Sequence, residues 1–153
     1  MRLPPGFVPG LVRDENRFFQ EYHLESDPSI QIYFEYRGRR MSEAASNIFR
    51  DLILAAPRNV TLIEIEQYRE LLQTKSDPTR FRPLIAKTQD IKGKRVLVVE
   101  GIFLKFNLQA RTLYVDSDGT GSAVQEISFQ TPVDRFIKYV LPGTRCLESI
   151  LWK

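Results

Sequence analysis

Along the chain the spacing of apolar residues changes period several times, and each change marks an element. Ile30, Ile32, Phe34 and Tyr36 alternate with Gln31, Tyr33 and Glu35, the period of a strand with one buried face. An aromatic-rich segment, Phe18 to Leu24, precedes it across Ser26-Asp27-Pro28-Ser29, so the two segments predict a β-hairpin. The period then lengthens. In SEAASNIFRDLILAAP, the residues Ala44, Ala45, Ile48, Phe49, Leu52 and Ile53 lie on one helical stripe, with Ser42 as N-cap, Glu43 in the first turn and Pro57 closing it. A second helix is expected over TLIEIEQYRELL, where Thr61 and Glu64 have the spacing of a capping box. Ile65, Tyr68, Leu71 and Leu72 supply its apolar side, and Asp77-Pro78 lies beyond its end.

From Arg82 onward the pattern returns to strand. PLIAKTQDI is followed by a Lys92-Gly93 turn and then by RVLVVEGIFLKF, a long strand with Gly101 as a bulge candidate. RTLYVDSD and AVQEISFQ follow, the latter placing Ile127 and Phe129 on one face and Glu126 and Ser128 on the other. DRFIKYVLPGTRCLESILW reads as an amphipathic helix carrying Phe136, Ile137, Val140, Leu147 and Ile150, which Pro142-Gly143 should break or kink near its middle. Two or three helices with five or six mostly antiparallel strands predict an α+β fold, a layered sandwich of sheet and packed helices. Residues 1–17, rich in proline and glycine, read as an extended arm, and residues 18–153 as a single domain.

Composition narrows this reading without naming a function. A chain of 153 residues that is 42% hydrophobic has the length of one domain with a substantial core. A formal charge of +3, from 22 basic and 19 acidic residues, is a small surplus and not a polybasic surface. A single cysteine, Cys146, excludes an internal disulfide framework. No apolar run approaches the roughly 18 residues of a membrane span, and MRLPPGFVPG lacks the order of a secretory signal. The expectation is a soluble chain, cytoplasmic as it stands, or lumenal or periplasmic if an export signal has been removed.

Four sets of residues are candidates for chemistry. DSDGTGSAVQEISF, beginning at Asp116, opens like a calcium loop, with Asp116, Asp118 and Thr120 at the early ligand positions. Ile127, however, occupies the place of the bidentate Glu, and Glu126 comes one place early. A hairpin loop, with Asp118-Gly119 and Gly121 in the turn, fits better. His23 is the sole histidine, which excludes multi-histidine metal sites, and Cys146 falls beside Leu147 on the final helix, where a small core residue is the ordinary reading. No phosphate-binding or nucleophile-elbow motif occurs, and no cofactor or metal is expected. Arg37, Arg39 and Arg40 in RGRR, following a strand that bears Tyr33, are the candidate binding residues, because arginines beside aromatics suit a polyanion. Arg80, Arg82 and Lys87 could extend that patch.

The second half of the chain resembles the closing part of the PsbP-like sandwich group, which includes photosystem II extrinsic subunits and a Ran-binding nuclear import factor. The likeness is carried by a long strand led by Gly93, two further strands, and a helix that follows Thr131-Pro132 and ends in Ser149-Ile150-Leu151-Trp152. The resemblance implies a protein-binding or assembly function and brings no catalytic motif. The leading expectation is therefore a non-enzymatic module with a protein partner, contacting it through the proline-rich arm and the RGRR edge. A nucleic-acid-binding domain using Arg37–Arg40 is the alternative, and an enzyme depending on His23 or Cys146 is the third.

Overall fold

A computed structural model describes residues 1–10, 19–36 and 41–152. Its centre is a seven-stranded sheet in the order β1-β2-β3-β7-β6-β5-β4, with every neighbouring pair antiparallel. The strands are β1 (Phe7–Pro9), β2 (Phe19–Leu24), β3 (Asp27–Tyr36), β4 (Phe81–Ile91), β5 (Lys94–Phe103), β6 (Leu108–Asp116) and β7 (Val124–Pro132). After β3 the chain leaves the sheet through α1 (Glu43–Leu54), α2 (Leu62–Ile65) and α3 (Arg69–Leu72). It re-enters at the far edge as β4 and returns strand by strand until β7 pairs with β3. The helix α4 (Phe136–Glu148) then crosses the opposite face. The α+β layered sandwich expected from the patterning is the observed fold.

Each face of the sheet has its own core, and residue alternation decides which side chain enters which. Ile30 and Ile32 of β3, Ile127 and Phe129 of β7, and Leu113 and Val115 of β6 pack under Phe136, Cys146 and Leu147 of α4. On the other face, Leu97, Val99 and Tyr114 pack against Phe49 and Leu52 of α1 and against Ile65, Tyr68, Leu71 and Leu72. Covering both faces has a consequence for β7. Glu126 and Ser128, opposite in direction to Ile127 and Phe129, are also buried, at 3% and 0% exposure.

Local signals held where capping or turn chemistry decides the structure. The Ser42 side chain accepts from the Ala45 N–H, and Thr61 and Glu64 form a reciprocal capping box. Lys92 and Gly93 both take positive φ in the two-residue β4–β5 turn.

Several expectations need correction. The β2–β3 turn is Glu25–Ser26, and Asp27-Pro28-Ser29 already belong to β3. On α1 the buried side is Ser46, Phe49 and Leu52, while Ala44 and Ile48 face outward. The second helix is interrupted by a 3₁₀ turn over Glu66–Tyr68 and followed by another over Gln73–Ser76. The bulge between β4 and β5 lies on β4, between Pro83 and Ile85, across from Gly101. Pro142 does not break α4, which runs through it. Pro142 and Lys138, whose carbonyl loses its usual donor there, both lie on the exposed side, where water can satisfy the carbonyl. Gly143 serves packing: a Cβ there would stand 2.5 Å from the Phe129 ring. That contact rotates the helix so that Ile137 is 89% exposed instead of buried.

The first ten residues are docked against the domain. β1 pairs with β2, the Arg2 N–H donates to Ser149 Oγ at 2.7 Å, and Met1, Leu3 and Phe7 pack on the core under α4. Phe18, residues 11–17 of the arm, and Arg37, Arg39 and Arg40 lie outside the described residues.

Candidate binding groove

The two chain ends meet on the α4 face of the sheet. Where α4 finishes, it leaves the end of that face uncovered, and the outgoing tail and incoming N-terminus form walls around the gap. The result is a groove of about 520 Å³. Its floor is apolar, from Phe34, Val115, Ile127 and Ile150. Its walls include Leu3, Tyr22, Leu151 and Trp152, and its polar groups are Gln20, Lys94, Ser117 and Gln125.

The aromatic walls are held in place. Trp152 Nε1 donates to the Ile91 carbonyl at 2.6 Å, which fixes the tail after α4 against the end of β4. Lys94 Nζ stands 5.7 Å from the centre of the Trp152 ring, within range of a cation–π contact. Tyr22 meets Phe34 edge-on at 6.4 Å, and the Gln20 amide donates to the Tyr22 hydroxyl. Among the described residues Lys94 has no ion pair, so its charge is available to a ligand carboxylate.

Such a lining can bind and orient, and among the described residues it contains neither histidine nor carboxylate. His23 follows Tyr22 on β2 and so projects from the opposite face of the sheet, whereas Cys146 is buried under α4. The two are not brought together. Burial pushes the Cys146 thiol up to about 11, which leaves it protonated and unreactive near neutrality.

The Asp116 loop is the β6–β7 hairpin connection. Asp116 accepts the N–H groups of Gly119 and Gly121 through its two oxygens, each at 3.0 Å. Asp118 accepts from Thr120 N and Oγ1 at 3.0 and 2.8 Å and from Ser122 Oγ at 3.0 Å. Both carboxylates thus accept donors from within the loop itself. No group of three or more His, Cys, Asp or Glu side chains placed to hold a metal is found among the described residues. Nor is any helix there long and apolar enough to cross a membrane.

Of the residues singled out from sequence for binding, Tyr33 is half-buried on the face opposite the groove and stacks on Phe19 at 5.7 Å between ring centres. Arg80 pairs with Asp77, and Arg82 and Lys87 lie along the edge strand β4. The groove residues escaped the sequence reading because they come from five strands and both termini. Only the terminal Trp152, an aromatic beyond the last apolar helix position, signalled that the tail packs back.

No family model matches the chain, and no curated protein matches it. Among solved structures, PA94 from Pseudomonas aeruginosa, a protein of unknown function suggested to be a regulator, is similar in fold. The TM-score is 0.59 at 9% sequence identity, over 96% of this chain and 97% of that one, so the two share an architecture.

Proposed function

We propose that the protein is a non-enzymatic binding or assembly module, as its PsbP-like pattern implies, and that its groove takes an apolar segment of a partner protein. The groove itself is the observation that carries this reading. An apolar floor suits aliphatic or aromatic side chains, the amides of Gln20 and Gln125 suit a peptide backbone, and Lys94 selects a segment bearing a carboxylate. The docked N-terminal residues act as a wall of this site and not as a free contact arm.

Site-directed photo-crosslinking in the native cells tests it. A benzophenone side chain at Leu151, 75% exposed on the groove, is compared with one at Ile137, 89% exposed on the outer side of α4. The expected result is a discrete protein adduct from position 151 alone, lost on Lys94→Glu, and a synthetic peptide of the crosslinked segment that binds the purified chain. Equal adducts from both positions, an adduct with nucleic acid, or substrate turnover abolished by one substitution would each overturn the proposal.

A further inference from the structure

A second cavity, of about 390 Å³, opens between the N-terminal residues and the last two turns of α4. Leu3, Pro4 and Pro5 form one wall and Pro142 part of the other. Small-molecule sites commonly occupy about 300–1,000 Å³ and have mostly apolar walls with a few polar groups, as this cavity does. The walls are fixed. The Arg2 N–H donates to Ser149 Oγ at 2.7 Å, and the Pro4 carbonyl accepts from the Phe7 N–H at 3.4 Å. Three prolines have no rotamer freedom to lose, so a ligand meets surfaces that are already ordered.

Two arginines decide what the cavity can take. Arg2 and Arg145 both line it and are exposed, and neither has an ion pair among the described residues. No carboxylate among those residues lines the cavity. Arg145 stands in the last turn of α4, where a cation also suits the helix dipole. The carbonyls at that end are nevertheless capped by other groups. Cys146 O accepts from the Ser149 N–H and Oγ at 3.1 and 2.7 Å, and Leu147 O from the Ile150 N–H at 3.4 Å. The guanidinium donors therefore remain for a ligand, at the rim of an apolar cavity. A cation would be repelled there, and a neutral apolar molecule would leave both arginines unused. The planar fork of an arginine matches a carboxylate through two parallel hydrogen bonds.

From this juxtaposition of Arg2 and Arg145 with a rigid proline-lined cavity, we infer a binding site for a small organic acid with an apolar body. Its carboxylate meets the arginines, and its alkyl or aryl part lies among Leu3, Pro4, Pro5 and Pro142. A free acid and the terminal carboxylate of a polypeptide share that chemistry. Leu3 lines both this cavity and the groove, so the N-terminal residues stand between the two sites. The inference does not depend on the function proposed for the groove.

Titration of the purified full chain with octanoate and with N-acetyl-dileucine, followed by amide chemical shifts, tests the inference. Saturable binding at millimolar concentration or below is expected, with shifts at Arg2, Leu3, Arg145 and Ser149 and none at Gln20 or Gln125. Octylamine and octanol should bind about tenfold more weakly or not at all, and added salt should weaken octanoate. Arg145→Gln should weaken octanoate about tenfold while leaving the melting temperature near that of the parent, because the side chain is exposed and unpaired. Arg2→Gln is expected to act alike, which separates a lost ligand contact from a damaged helix. Tighter binding of octanoate identifies a free acid as the ligand, and tighter binding of the dipeptide a polypeptide terminus. Absence of saturable binding by either acid, shifts confined to Gln20 and Gln125, octylamine binding as tightly as octanoate, or binding unchanged in both arginine variants would each overturn the assignment.

Discussion

Lys75 and Glu126, 51 residues apart in the chain, form a buried ion pair in which the lysine ammonium donates to Glu126 Oε1. Lys75 is 5% exposed and Glu126 3%. The ammonium also faces Tyr114 and Phe103, at 5.5 and 5.6 Å from their ring centres. Burial works against the lysine charge, but the oxygens of Tyr114, Tyr33 and Glu126 outweigh it and raise Lys75 above its ordinary range. Removing one member leaves the other charge buried without that counter-ion, which typically costs about 3–5 kcal/mol. Lys75→Met and Glu126→Gln should each destabilise by about that amount in urea unfolding. The double variant Lys75→Met/Glu126→Leu should be more stable than either single one, whereas additive losses would show that the pair is not coupled.

In the β6–β7 loop, Asp116 and Asp118 look equivalent in sequence and differ in place. Asp116 is 5% exposed and holds two backbone N–H groups, so Asp116→Asn should cost about 1–3 kcal/mol, because a carboxamide offers one acceptor oxygen where two are used. Asp118 is exposed and Asn suits its turn, so Asp118→Asn should be near neutral. Millimolar calcium should leave the melting temperature unchanged, and a rise reversed by chelator would show a metal site.

The two loop glycines should separate as well. Both have positive φ, but a Cβ on Gly119 meets nothing within 4 Å, while one on Gly121 would stand 2.4 Å from the Ser46 carbonyl oxygen. Gly119→Ala should cost about 1–2 kcal/mol from backbone strain alone. For Gly121→Ala a further overpacking cost of about 1–3 kcal/mol is expected. Equal melting temperatures for the two variants would refute the close approach of loop and helix.

Acid stability should depend on Glu64. The Arg58 guanidinium at 2.8 Å, then the Thr61 backbone and side chain, lower its carboxyl from 4.5 to about 2. A depressed carboxyl contributes stability above its unfolded value, and that contribution is lost as pH falls from about 4.5 toward 2. Glu64→Gln should lower stability near neutrality, flatten the profile in that window and leave its slope above pH 6 unchanged. A profile as steep as that of the parent protein would place the acid sensitivity elsewhere.

Cys146 is 2% exposed, and its thiol is pushed up to about 11. Alkylation by iodoacetamide at pH 7.5 should therefore proceed only through opening of α4, and should accelerate by orders of magnitude in denaturant. Reaction of the native chain as fast as that of a free thiol would contradict the packing of this helix.

The elements readable in advance were those whose causes lie within a few residues. The Ser42 cap, the Thr61–Glu64 box, the Lys92-Gly93 turn and the Asp116 hairpin loop each depend on neighbours in sequence, and alternation along β3 and β7 follows from the strand itself. Faces are another matter. Alternation sets Glu126 and Ser128 apart from Ile127 and Phe129, but only the placement of α1 to α3 over that side of the sheet makes them buried. Lys75, in a polar stretch after a helix, reads as a surface residue until that same packing lays it against β7. The docking of Gly143 on Phe129 turned Ile137 outward, against the amphipathic pattern, because a backbone without a side chain approaches a ring more closely than any apolar face can. The groove was legible least of all. Its walls are the two chain ends, whose meeting is decided by which end of the α4 face they cover and not by anything local to either.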